Sequence, residues 1–97
     1  MVTGSQLRAA RGLLNLSVLE LSEQTGLAVN TIRKAEGTNG LPPITEANIN
    51  LLISAFASAG VIFIEPDKLG PGVRLKTPKP APMRPRRRDA KGEGREG

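Results

Sequence analysis

The chain has 97 residues, 14 Lys/Arg against 9 Asp/Glu for a net charge of +5, and no cysteine, histidine or tryptophan. That length fits one domain near the lower limit of a self-sufficient core. The missing Cys and His exclude a disulfide framework, a thiolate metal site and the commonest catalytic base, so neither an enzyme nor a bound cofactor is expected.

Thr3 followed by Gln6 forms a capping box for a first helix through about Leu14, with Leu7, Ala10 and Leu14 facing inward at spacings of three and four. Gly12 weakens its last turn, Asn15 marks the exit, and Arg8 and Arg11 are the polar residues to follow. Ser17 and Glu20 make a second capping box, so a second helix starts near Val18; Gly26 ends it beyond Thr25. From Val29 to Glu36 the helical pattern resumes. Leu27, Ile32 and Ala35 lie on one side and Asn30, Arg33 and Lys34 on the other, until Gly37.

The segment GTNGLPP that follows is a loop, because its paired prolines exclude helix. Thr45 caps a fourth helix through about Ala59, with Ile49, Leu52, Ile53 and Phe56 at helical spacing to close the core and Gly60 to end it. VIFIE, residues 61–65, reads as a strand, and VRLK, residues 73–76, as its partner across the turn-rich EPDKLGPG. Since a lone two-stranded hairpin is marginal in water, these strands are expected to pack on the fourth helix or to pair across a dimer.

From Thr77 onward proline, glycine and charge dominate, with too little apolar surface to offset ordering entropy, and a disordered tail is expected. Residues 1–76 hold seven Lys/Arg against six Asp/Glu, whereas residues 77–97 hold seven against three. The folded part is therefore nearly neutral, and any attraction for a polyanion depends on local placement and on the tail. No apolar run approaches the roughly eighteen residues of a membrane span, and the N-terminus lacks a signal-peptide core, so a soluble, cytoplasmic protein is expected.

The stretch from Ser17 to Gly37, two short helices with Gly26 at the corner, resembles the helix-turn-helix of the phage-repressor and Cro-type DNA-binding regulators. The matching residues are Leu16 and Ser17 at the opening, Leu21 and Ser22 where the helices touch, Gly26 at the turn, Leu27 behind it, Thr31 and Ile32 mid-helix, and Glu36 and Gly37 at the close. The resemblance covers residues 3 to 60. Val18 stands in place of a phosphate-touching glutamine, Ala28 in place of a Ser or Thr cap, and Ala35 in place of a larger aliphatic. The fold so implied is mainly α: a four-helix Cro/repressor-like domain over 1–60, a C-terminal β-hairpin over 61–76 and a disordered basic tail over 77–97.

The resemblance further implies that the third helix enters the major groove of double-stranded DNA. Val29, Asn30, Arg33 and Lys34 are then the candidates for base contact, with Asn30 suited to adenine, Arg33 or Lys34 to guanine and Val29 to a thymine methyl. Ser17, Thr31, Thr38 and Asn39 are candidates for phosphate contact, although such residues at caps and loops also serve the backbone. Family members pair an arginine matching Arg11 with a glutamate matching Glu36; the alternative is two solvated charges. Arg84, Arg86, Arg87 and Arg88 would either neutralise phosphates as a flexible arm or solubilise the chain. Phe56 and Phe63, the only aromatics, sit at apolar positions as core residues, which argues against the stacking platforms of single-strand and RNA binders.

The expected function is transcriptional regulation through sequence-specific duplex DNA, with the protein acting as a homodimer. The competing expectation is an antitoxin-like interaction module whose C-terminal segment binds a partner protein.

Overall fold

The computed structural model describes residues 1–78, which form four helices followed by a two-stranded antiparallel sheet. Helix α1 (Gly4–Leu13) starts where the Thr3 hydroxyl oxygen accepts from the Gln6 N–H at 3.2 Å and Gln6 Oε1 accepts from the Thr3 N–H at 2.9 Å. It ends one residue short of the expected Leu14, and Asn15 takes φ +56°, a left-handed value that asparagine tolerates better than most residues. Helix α2 (Val18–Thr25) opens on the reciprocal Ser17–Glu20 box and stops at Gly26, whose φ of +82° is the left-handed C-cap geometry.

Helix α3 (Val29–Glu36) begins at Ala28 with no side-chain cap, the direct result of having no hydroxyl there. Helix α4 (Glu46–Ser58) begins where Thr45 Oγ1 accepts from the Asn48 N–H at 3.2 Å. The chain reverses through Gly60 into β1 (Val61–Ile64), which pairs with β2 (Gly72–Leu75) so that Val61 faces Leu75 and Phe63 faces Val73. Both strands are shifted or trimmed by one residue relative to the sequence expectation.

Each helix contributes a large, fully buried side chain: Leu7, Leu21, Ile32, and both Leu52 and Phe56 of α4. Burial of each such side chain stabilises the fold by about 1.5–3 kcal/mol. Ile49 and Ile53 depart from expectation, being half-buried and outside the core cluster. At roughly 100° per residue, Leu52, Phe56 and Ala59 form the centre of the inward stripe, and both isoleucines fall toward the same margin of it.

The hairpin gains its order from two helices. Phe63 meets Phe56 of α4 edge-on, with ring centroids 6.1 Å apart at 70°. Gln6 of α1, only 3% exposed, donates from Nε2 to the carbonyls of Ile64 at 3.1 Å and Gly72 at 3.0 Å. One side chain thus closes the α1 cap with its oxygen and fastens both strands with its nitrogen. Alternation sends Val61, Phe63, Val73 and Leu75 toward the helices and leaves Ile62, Ile64 and Arg74 on the outer face.

Candidate nucleic-acid interface

Helix α3 is amphipathic with a buried side formed by Ile32, Ala35 and Glu36. Asn30 and Lys34, four residues apart, occupy the opposite face and are exposed together with Arg33. Val29 and Thr31 are half-buried at the margins. The result is a short polar ridge with one amide and two cations, standing clear of the helices that hold it.

The corner joining α2 to α3 is tied by small hydroxyl side chains. Ser22 Oγ donates to the Leu27 carbonyl at 2.6 Å, and Thr25 Oγ1 donates to the Leu21 carbonyl at 2.8 Å while accepting from the Leu27 N–H at 3.2 Å. With the Gly26 N–H donating to Ser22 O at 2.8 Å, the corner fixes the angle at which α3 leaves α2. In the sequence Thr25 is marked only by its position just before the helix-ending Gly26, which does not reveal these bonds.

The far end of α3 is fixed by α1. Arg11 Nε and Nη2 each donate to the Glu36 carboxylate at 3.0 Å, and Nη1 donates to the Leu16 carbonyl at 3.0 Å. Side-chain exposure is 7% for Glu36 and 25% for Arg11, so the carboxylate is the more deeply buried partner. The hydrogen bond to Glu36 raises the Arg11 pKa above its ordinary value, against a lowering by partial burial and with a further rise from the opposite charge. An upward shift leaves the group's contribution intact below the ordinary arginine pKa; it is lost only in strong alkali.

Next to this pair, Arg8 Nη1 donates to the carbonyls of Glu36 and Thr38, and Nη2 to Asn39 Oδ1 at 2.6 Å. These bonds satisfy carbonyls that a helix C-terminus leaves without intrahelical partners. Gly4 allows the two elements to approach: its N–H donates to Gly40 O at 2.8 Å, and a Cβ there would lie 2.1 Å from Thr38 O.

Among the phosphate candidates, Ser17 Oγ accepts from the Glu20 N–H at 3.0 Å and Thr38 Oγ1 accepts from the Gly40 N–H at 3.0 Å, so both hydroxyl oxygens serve the local backbone. Asn39 is exposed with its oxygen held by Arg8. Arg84, Arg86, Arg87 and Arg88, with nearly all of the expected tail, lie outside the described residues. Among the described residues no acidic, His or Cys cluster could hold a metal ion, and no helix is long and apolar enough to cross a membrane. The chain matches no protein-family model, and no curated protein is a significant match.

Proposed function

We propose that residues 3–60 are a Cro/repressor-like helix-turn-helix domain that binds double-stranded DNA sequence-specifically and regulates transcription in the cytoplasm. The observation that carries this reading is the outward face of α3, where Asn30, Arg33 and Lys34 are exposed on a helix anchored at both ends. Asn bonds an adenine edge bidentately and Arg or Lys bonds guanine, so this ridge has the chemistry of direct readout. Helix α2 would cross the phosphates beside it.

A half-site read by eight residues of helix is short, and a homodimer on a palindromic site would double it. Selection of bound sequences from random duplex DNA tests the reading. A two-fold symmetric consensus supports both the function and the dimer; failure to enrich any duplex sequence refutes sequence-specific binding.

A further inference from the structure

The guanidinium of Arg8 has only donors, whereas the amide of Asn39 has one acceptor oxygen and one NH2 donor group. The 2.6 Å contact between Nη2 and Oδ1 therefore fixes the rotation of the amide, with the oxygen toward Arg8 and Nδ2 turned away. Nδ2 makes no bond to any described residue, and neither do the backbone N–H groups of Thr38 and Asn39. The segment bearing these donors is held in place: Gly40 donates to Thr38 Oγ1 and accepts from the Gly4 N–H, and Arg8 also bonds Thr38 O. Capping of α3 accounts for the bonds from Arg8 to Glu36 O and Thr38 O, but it does not require the second arm of the guanidinium to hold a side chain on the surface.

A fixed, outward amide donor beside a cation suits an oxyanion. We propose that Arg8 is a positioning residue for nucleic-acid binding, turning the Asn39 amide so that Nδ2 donates to a phosphate oxygen of the duplex read by α3. The inference rests on the DNA-binding reading above. Phosphate is the partner, not a base, because Asn39 lies past the C-terminal end of α3 while base edges are met from the helix itself.

The test uses the full chain with one selected duplex and one random duplex at fixed salt. Asn39→Ala should weaken binding to both about threefold to tenfold, the worth of one hydrogen bond, and leave the salt slope unchanged because a neutral donor displaces no counterion. Asn39→Asp keeps an oxygen for Arg8 but replaces the donor with a second acceptor, so it should bind more weakly than Asn39→Ala while melting no lower than the parent. Arg8→Lys keeps the charge but loses the fork, and should weaken binding by a similar factor. The double variant Arg8→Lys with Asn39→Ala should bind no worse than the weaker single variant, since Arg8 acts through Asn39. The proposal is overturned if Asn39→Asp binds like the parent, or if the two single losses multiply. Absence of duplex binding by the parent chain is a separate result: it removes the DNA reading itself and this inference with it.

Discussion

The Arg11 guanidinium straddles the Glu36 carboxylate with two 3.0 Å bonds, joining the last turn of α1 to the last residue of α3. The two partners differ in burial, which makes the pair asymmetric toward mutation. Arg11→Ala leaves a buried carboxylate uncompensated and should cost about 3 kcal/mol, the lower end for a broken buried pair. Glu36→Ala leaves a guanidinium that retains Leu16 O and reaches water, so its cost should be nearer 1–2 kcal/mol. Urea unfolding of both variants checks the order, and equal or inverted losses would show that the pair is not governed by Glu36 burial.

Gly4→Ala reverses an ordinary expectation. Alanine in a helix is normally better than glycine by about 1 kcal/mol. Here the added Cβ would meet Thr38 O at 2.1 Å and Ala35 O at 2.6 Å, both backbone atoms that cannot swing aside. Overpacking of this kind costs about 1–3 kcal/mol and outweighs the propensity gain. A lower melting temperature for Gly4→Ala, with Gly12→Ala unchanged or raised because open space surrounds that site, is the expected result.

Gln6→Glu isolates the bond between α1 and the hairpin. The carboxylate can still accept from the Thr3 N–H, but it faces the Ile64 and Gly72 carbonyls with no donor. Loss of two bonds at a site 3% exposed should cost about 2–3 kcal/mol. Amide hydrogen exchange would rise first in residues 61–75, before the helices, if the hairpin is released as a unit. Uniform acceleration across the chain would instead make the hairpin inseparable from the helical core.

The helix starts were legible because their signals are local: Thr3 with Gln6 and Ser17 with Glu20 are reciprocal pairs three residues apart. The same locality limits the reading. Gln6 was visible as a cap, but its bonds to Ile64 and Gly72 span 58 and 66 residues and leave no periodic trace. The close approach of Gly4 to Thr38 and the carbonyl partners of Arg8 escaped for the same reason. Spacing alone puts Ile49 and Ile53 in the core, yet a helix apolar on several sides does not reveal which side its neighbours cover. The polar face of α3 did follow from spacing, since Ile32 and Ala35 define its opposite. The Arg11–Glu36 link came from resemblance alone.

The outer face of the hairpin suggests where a second copy would sit. Ile62 and Ile64 are 42% and 41% exposed, so β1 is apolar on both faces although only one is covered by the helices. If the proposed homodimer forms across this face, Ile62→Ser combined with Ile64→Ser should weaken self-association at least tenfold and lower the melting temperature of dilute protein only slightly, because neither side chain fills the core. These changes are cleaner than truncation after Gly60, which would also strip Val61 and Phe63 from the packed face. Sedimentation over a concentration series decides it; an unchanged dimer places the interface elsewhere.

The strongest demand falls on α3. Asn30→Ala and Lys34→Ala remove exposed side chains on the face opposite Ile32, so they open no cavity and strand no buried group. Each should leave stability within about 0.5 kcal/mol of the parent. If these residues touch base edges, each should weaken the selected site by about 1–3 kcal/mol. The two should then separate on random duplex. Asn30 carries no charge, and its loss should scarcely affect non-specific binding; Lys34 adds to the general attraction for phosphate, and its loss should reduce that binding modestly. Ile32→Ala acts through the opposite route. Its side chain is fully buried, and truncation should cost about 2–5 kcal/mol, enough to unfold a domain of this size and abolish specific and non-specific binding together. Melting each variant and measuring both affinities at one salt concentration distinguishes reading from folding. Parent-like affinity of both surface variants for the selected site would show that α3 does not read the bases.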